Sequence, residues 1–148
     1  MEPARQCETT GCQRIRVLVV DEHQAVRHAI ATLIASLDDM ELAGVAASAE
    51  EALSSTLSGA PPDVALMATT RQGKSAAGDC RALRRRWPSL RVVGLCTFLE
   101  EGQAQAVLDA GAVGYLLKNV SAGELLGAVR AAHAMQRAQE GGASDIRG

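Results

Sequence analysis

Residues 15–30 read IRVLVVDEHQAVRHAI, and this stretch carries the pattern that decides the fold. An unbroken apolar run, Val17–Val20, ends in the acid pair Asp21-Glu22 and passes directly into a helical spacing, Val26, Ile30, Leu33, Ile34, Leu37. A run with no apolar/polar alternation suits a strand covered on both faces, as in a parallel sheet, while the 3.6-residue stripe buries one side of a helix. Further apolar runs lie at Leu42–Ala46, Val64–Met67, Val92–Leu95 and Tyr115–Leu117. Helical patterns separate them. Ala49, Ala52, Leu53 and Leu57 follow a Ser48-x-x-Glu51 capping box; Cys80, Leu83 and Trp87 lead to a stop at Pro88; Ala104, Val107 and Leu108 end before Gly111; and Leu125, Val129 and Ala132 follow a second box, Ser121-x-x-Glu124. Strand-helix alternation repeated five times predicts a doubly wound α/β domain with right-handed crossovers.

The rest of the chain bounds what such a domain does. With 148 residues it has the length of one domain, and 47% hydrophobic against 2% aromatic residues requires a core of Ala, Val, Leu and Ile. So few rings argue against base-stacking nucleic-acid surfaces. A net charge of −2 gives no overall field for DNA or anionic lipid. No apolar run reaches membrane-span length, and the polar start MEPARQCETTGCQR lacks a signal peptide's apolar stretch, so a cytoplasmic location is expected. Cys7, Cys12, Cys80 and Cys96 then read as free thiols, and the C-x4-C pair at the start has no second pair at zinc spacing. Residues 1–14 read as a flexible tail, 15–134 as the domain and 135–148 as a linker or tail.

Ligand crevices in open α/β sheets lie beyond the carboxyl ends of the strands. There stand Asp21-Glu22, Ala68-Thr69-Thr70, Cys96-Thr97 and Lys118-Asn119. Carboxylates suit a hard divalent cation and an ammonium suits a phosphate-like anion, although a plain salt bridge explains the same residues equally well.

From about Ile15 to Ala134 the chain resembles the receiver domain of two-component response regulators, NarL/FixJ type. The matching segments are IRVLVVDEHQAVRHAI, PPDVALM, RRRWPSLRVVGL and DAGAVGYLLKNVSAGELLGAVRAA. The resemblance implies a flavodoxin-like (βα)5 fold with a parallel five-stranded sheet in the order 2-1-3-4-5, and a phosphoryl-accepting aspartate at the end of the third strand. Ala68 holds that position. A methyl group forms no acyl phosphate, so the resemblance implies a pseudo-receiver rather than an enzyme. Where the family has a phosphoryl-sensing Thr or Ser stands Cys96, a weak hydrogen-bond donor, and the loop after the acceptor is altered to Arg71-Gln72-Gly73. Asp21, Glu22 and Lys118 remain, as does Tyr115 at the family's aromatic switch position, with Phe98 close to the altered sensing site.

Losing one carboxylate leaves Lys118 to pair with Asp21 or Glu22. No cofactor is then required, and Mg2+ at Asp21 and Glu22 is weakened. Function is expected to rest on surfaces: a protein partner or second copy meeting the first and fifth helices, or the fourth helix with the fifth strand and helix; Ala128, Ala131 and Ala132 would permit close helix approach, although the same residues serve equally as core. No membrane contact and no direct nucleic acid binding by this chain are expected, and transcription would be regulated through a DNA-binding domain that this chain does not contain. Two alternatives remain. One is a small-molecule sensor using a vacated pocket near Ala68. The other is a nucleotide site at residues 68–75, ATTRQGKS, which nearly match a P-loop. The Arg81 to Arg86 run reads as a solvated face, His23, His28 and His133 as ordinary histidines without metal-ligand spacing, and Cys96 as a buried small residue more than a redox centre.

Overall fold

A computed structural model describes residues 14–54, 61–72, 74–97 and 101–140. Five strands form one parallel sheet: β1 (Ile15–Val20), β2 (Met40–Ala46), β3 (Val64–Ala68), β4 (Arg91–Cys96) and β5 (Gly114–Leu117). They are ordered β2-β1-β3-β4-β5, the flavodoxin-like arrangement. Between and after them run α1 (Gln24–Ala35), α2 (Ala49–Ser54), α3 (Ala77–Arg86), α4 (Glu101–Asp109) and α5 (Ala122–Glu140). Thr70–Arg71 and Lys74–Ser75 add a short antiparallel hairpin above the end of β3 that the sequence pattern did not announce.

Strand side chains alternate between two aliphatic layers. Val17, Val19, Val64, Leu66, Val93 and Leu95 pack with Ile30 and Ile34 of α1 and Leu125 and Val129 of α5. On the other face Leu18, Val20, Ala65, Met67 and Val92 meet Ala52 of α2, Cys80 and Leu83 of α3 and Val107 of α4. The three inner strands are buried almost throughout, whereas β2 and β5 lie at the edges and remain partly open, with Val45 and Tyr115 exposed. The expectation that all five runs are covered on both faces therefore holds for the inner three only; lateral position in a sheet is not encoded in a strand's own residues.

Caps end the helices largely as their sequences require. In the second capping box Glu124 N–H donates to Ser121 Oγ at 3.1 Å and Ser121 N–H to Glu124 Oε1 at 3.2 Å. In the first, Glu51 N–H reaches Ser48 Oγ at 3.1 Å, but the glutamate returns to the N–H of Ala47 rather than Ser48. Gly111, at φ 117°, closes α4 in a Schellman motif, with Ala112 N–H on Val107 O and Gly111 N–H on Leu108 O. α3 ends at Arg86 with Trp87, half-buried, as its cap, and α5 continues past residue 134 to Glu140. Leu57 and residues 1–13 and 141–148 lie outside the described residues.

Gly94, on β4 between Met67 and Tyr115 in the sheet register, lets Thr69 lie against the strand. A Cβ there would stand 2.7 Å from Thr69 Cγ2. Thr69 is buried, so Gly94→Ala is expected to cost about 1–3 kcal/mol in urea unfolding.

Across the α1–β2 turn, Arg130 Nε donates to Asp39 Oδ2 at 2.9 Å. That hydrogen bond holds the Asp39 carboxyl below its ordinary value of 3.8. A depressed carboxylate adds stability above its unfolded pKa and loses it as pH falls through the folded one, so the contribution disappears below about pH 4. Both side chains are about half exposed, and Arg130→Gln should cost less than about 1 kcal/mol at pH 7, with a shallower acid limb in a pH series of melting curves.

Candidate functional site

β1 ends by delivering Asp21 to the carboxyl edge of the sheet, where it is 1% exposed. Its Oδ1 accepts the N–H of His23 at 2.8 Å, an Asx-type turn that directs the chain into α1. His23 Nδ1 lies 3.0 Å from the same oxygen. From the end of β5, Lys118 brings its ammonium to 2.8 Å from Asp21 Oδ2 and 3.4 Å from His23 Nδ1. The contact with Oδ2 is an ion pair whose angle is not that of a directed hydrogen bond. Arg27, one turn into α1, donates from Nη1 to the Asp21 carbonyl at 2.8 Å, and the Lys118 N–H donates to Cys96 O at 2.8 Å, tying β5 to β4.

Of the two acids, Lys118 thus takes Asp21, and Glu22 turns elsewhere. Glu22 Oε2 accepts the backbone N–H of Gln72 at 3.0 Å, at the turn of the hairpin. Gln72 is held at φ 55°, the left-handed region that tight hairpins demand and non-glycine residues enter reluctantly. Beneath the hairpin, Ala68 ends β3 and is 6% exposed. Thr69 clamps the base, donating its N–H to Leu95 O and accepting the N–H of Ala76.

This geometry corrects the P-loop alternative. A phosphate cradle needs free backbone N–H groups running into a helix N-terminus. Thr70 and Arg71 instead pair with Ser75 and Lys74 in a ladder, and α3 starts only at Ala77. Cys96, 2% exposed, packs inside the end of β4. Tyr115 is partly exposed on β5, and Phe98 falls outside the described residues.

Asp21 and Glu22 are committed to different partners, and among the described residues no three of His, Cys, Asp and Glu group as a ligand set. His28 on α1 is exposed, and His133 on α5 is half-buried. Reading the sequence missed His23, Arg27 and Gln72 as members of the site. The only local signal was the spacing of His23 two residues after an aspartate, which favours an Asx turn.

Residues 17–130 match the response regulator receiver domain family. The response regulator GacA of Pseudomonas viridiflava is 37% identical over 83% of this chain and 57% of its own length. The transcriptional regulatory protein LiaR of Bacillus subtilis (strain 168) is 31% identical over 80% of the chain and 56% of its own. A two-component response regulator of the LuxR family from Aurantimonas sp. SI85-9A1 superposes with a TM-score of 0.70 at 27% identity, covering 83% of this chain and 87% of that one. The chain spans little more than half the length of the curated relatives it matches.

Proposed function

The chain belongs to the response regulator receiver family, and from that premise we propose that it is a pseudo-receiver in two-component-type signalling, acting without phosphorylation through protein contacts. The observation that carries this reading is the methyl group of Ala68 at the carboxyl end of β3. It offers no oxygen to attack a phosphoryl donor. Two further features support it. The Lys118 ammonium is already balanced by Asp21, and Glu22 already holds the hairpin.

The protein is thus a regulatory module rather than an enzyme. Its output surfaces are the α1/α5 face or the α4–β5–α5 face, where Tyr115 is exposed, engaged by a protein partner or a second copy. Regulation of transcription would then need a DNA-binding segment outside this chain. Among the described residues no helix is long and apolar enough to cross a membrane. We propose a cytoplasmic location as part of the same reading.

Incubation with acetyl phosphate and Mg2+ followed by intact-mass measurement should leave the mass unchanged. A phosphorylated species mapping to the strand ends overturns the reading. Light scattering at rising concentration then tells a dimer from a monomeric module.

A further inference from the structure

The geometry points to a binding site for a small neutral apolar molecule carrying one carbonyl-type acceptor, seated between α1 and α5 and independent of the phosphorylation chemistry. A cavity of about 230 Å³ opens there. Ala25 and Ala29, one turn apart and exposed on α1, leave the gap; Leu95, Leu117 and Leu125 line it from the sheet and α5, and Lys118 is the one charged wall residue among those described. The expected sensor pocket was near Ala68, which is not among these walls.

Apolar cavities of about 150 Å³ accept a benzene ring, so this one is sized for a small bicycle. The charges choose the head group. Lys118 lies beside Asp21, which is fully buried, so an arriving anion would meet an existing carboxylate and an arriving cation would meet the ammonium. A neutral acceptor avoids both. The ammonium has three protons and two contacts, Asp21 Oδ2 and His23 Nδ1, so one proton remains for a carbonyl that reaches it from the cavity. A ligand bonded in this way would share Lys118 with Asp21 and so reach the ends of β1 and β5 together.

The probes are 1-indanone and indane, alike in shape and differing in the carbonyl, titrated into the full 15N-labelled chain. Indanone should shift the amides of Ala25, Ala29, Lys118 and Val120 to saturation. Indane should bind about tenfold more weakly, the worth of one hydrogen bond to a charged group. Ala29→Trp, which fills the gap from an exposed helix position, should abolish both. Lys118→Met in an Asp21→Asn background, which leaves no buried charge unpaired, should bring indanone down to the affinity of indane. Absence of saturable shifts with either probe, shifts that survive Ala29→Trp, or equal binding of the two probes would each overturn the proposal. None of these readouts involves phosphoryl transfer, so their failure leaves the pseudo-receiver reading standing.

Discussion

Lys118→Met should cost about 3–5 kcal/mol, the range for removing one partner of a buried ion pair. Asp21 has no exposed side-chain surface, and Lys118 supplies the positive charge at Oδ2. His23 and its backbone N–H remain on Oδ1 but leave Oδ2 facing the gap. Methionine keeps most of the lysine stem's packing, which isolates the charge. Adding Asp21→Asn should recover most of the loss, since a neutral amide needs no counter-charge. Urea unfolding of the two single variants and the double variant closes the cycle. A Lys118→Met cost below about 1 kcal/mol would mean that the pair contributes no more than a surface salt bridge.

Ala68→Asp should produce the second large effect, and its size should depend on metal. The β1–β3 register pairs Val20 with Met67, so position 68 lies one step beyond, level with Asp21. A third carboxylate on this buried edge, opposite one lysine already taken, should lower stability by about 1–3 kcal/mol in chelator. Mg2+ should then return it: at ten times its dissociation constant a bound ion contributes about 1.4 kcal/mol. The unsubstituted protein should show almost no Mg2+ shift in melting temperature. A variant indifferent to Mg2+ would mean that the Glu22–Gln72 bond keeps the ligand set apart even when the missing carboxylate is restored. Phosphorylation of Ala68→Asp by acetyl phosphate should become efficient only with Cys96→Thr added, because the buried thiol is a poor donor to a phosphoryl oxygen.

What was legible in the sequence depended on how local the cause was. The inner strands could be read because Val17–Val20, Val64–Met67 and Val92–Leu95 are aliphatic without interruption, and the starts of α2 and α5 because Ser48/Glu51 and Ser121/Glu124 bond within a single turn. The order of strands, and with it the meeting of Asp21 and Lys118, could be read only through the resemblance to a family. The hairpin could not be read at all. Residues 70–75 are polar and without period, and the bond that fixes their turn comes from Glu22, 50 residues away. The same holds for Arg27, whose partner is a backbone carbonyl rather than a side chain of complementary charge. Which apolar run would be an edge likewise came only with that order, because β2 and β5 are exposed by their neighbours and not by their own composition.

One contact at the site bears on how the protein is made. His23 and Lys118 are separated by 95 residues, so on the ribosome Asp21 emerges long before the lysine that balances it. Until β5 has cleared the exit tunnel, closing the sheet around Asp21 would bury a carboxylate without the ammonium that balances it. Nascent chains that stop short of Lys118 should therefore stay open to protease, and resistance should arrive in a single step once the fifth strand is available.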